Sequence, residues 1–162
     1  MTDAPEPRDG DSVVLLVGDY DPPTMDYSRA IEALCKSKGV EGVWACPVGS
    51  EDKQRAISLA TAFCADMSST ISRGLTCCTA GLDRSLTPEG LHEWCSKRYP
   101  TLKFKVASLK EVSFAGEEGG VIKVAKFLRV GNVRDRIASG SDESRSFTAG
   151  TWSLIQARKY YR

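Results

Sequence analysis

Between Ser12 and Arg29 an unbroken apolar run, Val13 to Val17, gives way through Gly18 and the pair Pro22-Pro23 to a segment with apolar residues at helical spacing, Ile31, Leu34 and Cys35. An apolar run of strand length has no polar side to offer to water. It must be covered on both faces, as strands of a parallel sheet are. Gly18 ends the run. Asp21-Pro22-Pro23 then imposes an extended turn, because each proline fixes its own φ and the residue before a proline avoids the helical region. Strand, Gly-Pro turn and helix is the arrangement by which α/β proteins hold phosphate groups against a helix N-terminus.

The alternation continues. After a helix over Tyr27 to Lys38, closed by Gly39, the pattern predicts a strand over Gly42 to Pro47, with Val43, Trp44 and Ala45. A helix over Asp52 to Met67 presents Ala56, Leu59, Ala60, Phe63 and Cys64 on one face. A strand over Leu75 to Thr79, a helix from Pro88 to about Tyr99 and a strand over Leu102 to Ala107 follow. The order predicts an α/β fold: a single-domain Rossmann-like parallel sheet with right-handed crossovers, helices on both faces and Val13–Val17 at its middle. Beyond Lys110 the pattern weakens. Glu117 to Gly120 reads as a turn, Val121 to Val130 as a further strand, Ser139 to Ser144 as a mobile loop, and Trp152 to Tyr161 as a terminal helix or ordered tail. The chain therefore divides into a flexible acidic tail (1–11), the α/β domain (12–138), and a loop with a C-terminal extension (139–162).

Gly18-Asp19-Tyr20-Asp21-Pro22-Pro23-Thr24-Met25-Asp26-Tyr27 resembles the Gly-x-Phe-Asp-Pro-x-Thr/His-x-x-His opening of the HxGH nucleotidyltransferases, and within them of the nicotinamide/nicotinate mononucleotide adenylyltransferases. Further matches follow in the same order: Gln54-Arg55-Ala56 with Leu59-Ala60, then Ser85-Leu86-Thr87-Pro88-Glu89-Gly90-Leu91, then Lys97-Arg98-Tyr99-Pro100 leading into Leu102 to Val106. The likeness spans Ser12 to Val106. It implies the fold already read from the pattern, a nucleotide site made by Gly18, Asp19, Tyr20, Lys53 and Arg55, and catalytic signature positions at Thr24 and Tyr27. On that reading the reaction moves AMP from ATP, with Mg²⁺, to a pyridine mononucleotide.

The departures point elsewhere. The second signature histidine, which in the family contacts phosphates and stabilises transition-state charge, is Tyr27, a neutral phenol near pH 7. The signature glycine is Asp26, which puts bulk and negative charge where an anion should approach. Arg29 can pair with Asp26 and fill that place internally. The family's Gly-Ala-Asp would fall at Ala107-Ser108-Leu109 and is absent, and its C-terminal Ile-Ser-Ser-Thr-x-x-Arg helix start has only Thr148 to Thr151 as a candidate. Loss of one preorganised donor costs about 3–4 kcal/mol of transition-state stabilisation in well-studied sites, and several are missing here. The expectation is a family-derived scaffold without cofactors, acting as an accessory or structural subunit of a larger assembly. The alternative is an active adenylyltransferase.

Composition narrows the rest. A net charge of +1 over 162 residues recruits neither nucleic acid nor an anionic membrane, and no apolar stretch reaches membrane-spanning length. The single histidine, His92, lies beside the Leu91, Trp94 and Cys95 face of its helix and reads as a boundary residue. Cys35, Cys46, Cys64, Cys77, Cys78 and Cys95 show no Cys-x-x-Cys or zinc spacing, so no metal site is expected. They read as reduced structural thiols of an intracellular reducing compartment, cytoplasm or mitochondrial matrix. Trp152 and Arg158 to Arg162 combine the residue types enriched in interface cores, so other protein subunits are expected to dock on the C-terminal region.

Overall fold

The apolar run forms β1 (Ser12–Gly18), which lies between two parallel neighbours, β2 (Gly42–Pro47) and β4 (Lys103–Ser108). The computed structural model describes residues 12–36, 39–69, 71, 74–108, 113–115, 121–123 and 133–162. Side chains alternate across β1 as strand geometry requires. Val14 and Leu16 face α1 (Met25–Cys35) and α2 (Lys53–Ser68), in a core with Ile31, Leu34, Ala60 and Phe63. Val13, Leu15 and Val17 face α4 (Pro88–Arg98), in a second core with Trp44, Leu91, Cys95 and Phe104. Helices cover both faces, and the strand between them is wholly buried from Val13 to Val17.

β3 (Gly74–Cys77) extends the parallel sheet beyond β2, while β5 (Ser113–Ala115) and β6 (Val121–Lys123) continue it beyond β4 as antiparallel strands. The sheet order is β3-β2-β1-β4-β5-β6. It is Rossmann-like in its four parallel strands, with an antiparallel pair added at one edge. The chain winds outward from β1 to β3 and then returns to the other side of β1. The crevice beyond the carboxyl ends of β1 and β4 is therefore the topological switch point, where α/β sheets place ligands.

Three differences from the sequence reading concern short elements. The first helix ends at Cys35 instead of Lys38, and Gly39 takes a left-handed φ of +84° in the turn that follows. The strand expected over Leu75 to Thr79 ends at Cys77, and α3 (Ala80–Asp83) intervenes before α4. A helix not foreseen, α5 (Val133–Ala138), precedes α6 (Ala149–Arg158). Both pack on the outer side of α2, where Leu59 meets Val133, Ile137, Phe147 and Ile155. The segment 139–162 is thus docked on the domain as a further layer outside α2. Trp152 stacks on Phe147, with ring centroids 5.6 Å apart and planes at 7°. The Ser139–Ser144 loop is tied by Arg136 Nε to Glu143 at 2.6 Å and by the Ser141 hydroxyl, which donates to the same carboxylate at 2.8 Å.

The acidic tail (1–11), the turn at Glu117 to Gly120 and all of the Val121–Val130 strand after Lys123 lie outside the described residues. The six cysteines carry no disulfide. His92 Nε2 lies 3.1 Å from the Phe104 carbonyl oxygen, at the boundary of the core. No helix among the described residues is long and apolar enough to cross a membrane.

Candidate functional site

At the carboxyl end of β1 the chain makes its turn toward α1. Tyr20 adopts a left-handed φ of +52°, Asp21-Pro22 is a cis peptide, and Thr24 is the residue from which α1 starts. A cleft of about 370 Å³ opens here, lined by Asp19, Asp21, Thr24, Tyr27, Arg134 and Asp135 among others. It sits at the switch point, as the strand-turn-helix pattern anticipates. Of the residues singled out in the sequence, Asp19, Thr24 and Tyr27 line it, and Gly18 and Tyr20 support it.

Tyr27 fills the space beside Gly18. Its ring lies over Gly18 so closely that a Cβ there would come within 2.5 Å of the phenol oxygen, which is why only glycine fits. The phenol donates to Asp19 Oδ1 at 3.2 Å and accepts from the Tyr20 N–H at 3.2 Å. Burial, with the Asp19 carboxylate beside it, pushes its pKa well above the ordinary 10. It therefore stays neutral and cannot supply a cation. Tyr20, fully buried, packs its ring against Tyr27 with centroids 4.3 Å apart and planes tilted by 46°, and donates from its own hydroxyl to the Leu16 carbonyl at 2.8 Å. Asp26 pairs loosely with Arg29 across 3.9 Å, the contact foreseen from their spacing.

The centre of the site is Asp21, whose side chain is fully buried. Arg55 grips it bidentately, Nε at 2.6 Å and Nη2 at 2.7 Å, and the Ser50 hydroxyl donates at 2.7 Å. Arg134, at the start of α5, bonds the Asp21 carbonyl through Nε at 2.8 Å and reaches the carboxylate at 3.0 Å. The Tyr161 hydroxyl, from the C-terminus, donates to Asp21 Oδ1. Both guanidiniums also approach the Tyr161 ring, Arg55 at 4.8 Å and Arg134 at 5.1 Å from its centre. Glu51 also binds both arginines, at 3.2 and 2.8 Å. Burial alone would raise the Asp21 pKa, but the donors Arg55, Ser50 and Tyr161 and the Arg134 charge outweigh it and hold the carboxyl below its usual range. Asp21 in turn keeps the Arg55 guanidinium firmly protonated.

Arg55 thus enters the site, though its partner is a carboxylate of the chain itself. Lys53, proposed beside it from sequence, is not brought there: it pairs with Asp83 at 3.2 Å on the exposed side of α2. Thr148 to Thr151 does begin a helix, but the Gly150 N–H is taken by Asp66 of α2 at 2.7 Å. The arginine at a C-terminal helix start that does reach the cleft is Arg134. Sequence reasoning missed Arg134, Tyr161, Ser50 and Glu51. The signal that could have found them is Asp21 itself: a carboxylate locked in a proline turn and buried needs cationic partners, but 22 lysines and arginines offered no way to choose.

The cleft charge follows from this census. Asp19 and Asp135 face it, while the Asp21 carboxylate and the Arg134 guanidinium, which also border it, are already paired. A bare polyphosphate would meet carboxylates at a cost of about 1–4 kcal/mol per close pair. The lining therefore receives a metal-free triphosphate poorly.

No family model matches the chain, and no curated protein matches its sequence. Among solved structures, a "putative nicotinate-nucleotide adenylyltransferase" from Vibrio parahaemolyticus superposes with a TM-score of 0.69, at 17% identity, over 94% of this chain and 96% of that one. The likeness is one of fold. It covers almost the whole length of both chains.

The Tyr161 contact leads to a separable expectation. Tyr161→Phe keeps the ring beside the guanidiniums and loses one hydrogen bond, at about 1 kcal/mol. Tyr161→Ala also removes both cation–π contacts and costs about 2–3 kcal/mol. Urea denaturation of the two variants measures the gap; equal losses would show that the ring contributes nothing.

Proposed function

We propose that this nucleotidyltransferase-like chain has lost catalysis and serves as an accessory or structural subunit of a larger assembly. One observation supports the reading: the place that the resemblance assigns to phosphate is filled from within. Tyr27 covers Gly18, and the two arginines nearest the cleft are bound to Asp21 and Glu51. A transition state that builds negative charge needs donors that are free and aimed at it. The partners are other protein subunits, met through the outward side of the C-terminal region, where Arg158 and Lys159 are exposed. Six free thiols, four of them buried, suit a reducing compartment.

The fold likeness to a protein named as a nicotinate-nucleotide adenylyltransferase favours a second reading. On it, the chain transfers AMP from ATP to a pyridine mononucleotide with Mg²⁺. Calorimetric titration with ATP and with nicotinamide or nicotinate mononucleotide decides between them, alongside an assay for dinucleotide formation. The expected result is no heat at millimolar ligand and no product above background. Asp26→Gly combined with Tyr27→His removes an anion and adds a titratable donor beside that place, and is expected to gain nucleotide affinity. Robust dinucleotide production by the unaltered protein would overturn the proposal.

A further inference from the structure

The aromatic and basic side chains of the C-terminus, which the sequence marks for partner binding, are largely engaged within the domain. Trp152 lies on Phe147 and Tyr161 lies beside Arg55 and Arg134. A second set of the same residue types remains on the opposite face of the sheet. Arg84, just after α3, places its guanidinium 5.0 Å from the centre of the Trp94 ring, and Arg98, one turn further along α4, places its own at 5.8 Å from the same ring. Arg98 also approaches Tyr99 at 5.9 Å. Tyr99, 37% exposed, is the large hydrophobic residue most open to solvent among those described, and its inner edge rests on Trp44 at 5.4 Å.

The charges around this patch are unequally matched. The nearby carboxylates are taken by lysines, Asp83 by Lys53 at 3.2 Å and Glu93 by Lys97 at 2.8 Å. Among the described residues, neither Arg84 nor Arg98 forms an ion pair. Both lie over the Trp94 ring and both side chains are exposed. A guanidinium held against an indole is preorganised, and an exposed one can meet a carboxylate in bidentate geometry. We propose that the Arg84–Trp94–Arg98–Tyr99 surface binds an acidic segment of a partner protein. Carboxylates meet the two guanidinium edges, and an apolar or aromatic side chain lies on Tyr99 and the rim of Trp94. Trp, Tyr and Arg are the residues that most often dominate interface energy.

Single-stranded nucleic acid would also use arginine and aromatic rings, and it fits less well. Base stacking needs a bare ring face, and Trp94 is already attended by two guanidiniums. A phosphate backbone would also have to pass Glu93 and Asp83.

The test uses the full chain and three fluorescent probes at low ionic strength: a random glutamate–tyrosine copolymer, polyglutamate of equal length and oligo(dT). The copolymer is expected to bind best. Arg84→Glu with Arg98→Glu, both on exposed side chains, should weaken it by about tenfold or more. Arg29→Glu with Lys36→Glu, an equal charge change at exposed side chains in and just after α1 on the other face of the sheet, should leave it within about twofold, since the contact is local to Arg84 and Arg98. No binding of the copolymer, equal loss in the Arg29/Lys36 variant, no loss in the Arg84/Arg98 variant, or tighter binding of oligo(dT) would each overturn the proposal. None of these readouts involves nucleotide, so the outcome is independent of whether the cleft is catalytic.

Discussion

Asp21→Asn is expected to lower the free energy of unfolding by about 3 kcal/mol, because removing one partner of a buried ion pair leaves the other charge uncompensated. The amide keeps the shape of the carboxylate, so packing is little disturbed. What changes is the charge. Arg55, with a side chain only 15% exposed, loses its bidentate partner at 2.6 Å, and Arg134 loses its contact at 3.0 Å. Arg134 is more open to water and recovers part of its hydration, which keeps the loss near the lower end of the range for buried pairs. The pH dependence follows from the direction of the Asp21 shift. Its folded pKa lies below the usual carboxylate value. The stabilisation is therefore present above the unfolded pKa of about 3.9 and is lost as the pH falls through the folded pKa. Urea midpoints for the two proteins should differ most at pH 6–7, begin to approach each other near the unfolded pKa of about 3.9, and converge only once the pH falls below the folded pKa of Asp21. A constant difference across that window would mean that the carboxylate charge is not what Asp21 contributes.

Tyr20→Ala is expected to cost about 3–5 kcal/mol, the usual range for emptying a large aromatic site in a core. Tyr20 is fully buried between Tyr27 at 4.3 Å and Phe63 at 6.2 Å. Its removal opens a void directly beneath the cleft and lets Tyr27 move. Tyr20→Phe fills the same volume and loses only the bond to the Leu16 carbonyl, at about 1 kcal/mol. Denaturation of both variants measures the contrast. If the two changes cost the same, the hydroxyl and not the ring would be the reason tyrosine stands there. Because the backbone at Tyr20 has φ +52°, the Ala variant also tests whether packing holds the loop in that conformation. A loosened loop would show as faster amide exchange at Asp19 and Asp21.

The likeness to a solved structure extends over nearly the whole chain, yet on the proposed reading the features that would set this protein apart from an enzyme are local. They are the phenol of Tyr27, the carboxylate of Asp26, and two arginines engaged by Asp21. Fold and function are carried by different residues, and the first can persist while the second changes.

What the sequence determined by itself was periodic and short in range. The unbroken run Val13 to Val17 required cover on both sides and so fixed a central parallel strand, and Gly42 to Pro47 gave β2 with its observed bounds. The spacing of Ala56, Leu59, Ala60 and Phe63 fixed the inner face of α2. Gly18 to Thr24 marked the turn at which the cleft opens. These signals are legible because strand and helix periods repeat along contiguous residues. The tertiary structure alone decided which charges meet. Asp21 is joined to Arg134 and Tyr161 across 113 and 140 residues, and no local pattern encodes a contact between segments so far apart. The same holds for α5, six residues long, too short to be stable by its own propensity and formed because Val133 and Ile137 are buried against α2. Tyr161 looked like a tail residue because its neighbours are basic and terminal. It is a site residue because the fold brings the end of α6 back to the carboxyl end of β1, where a buried carboxylate and two cations can hold it.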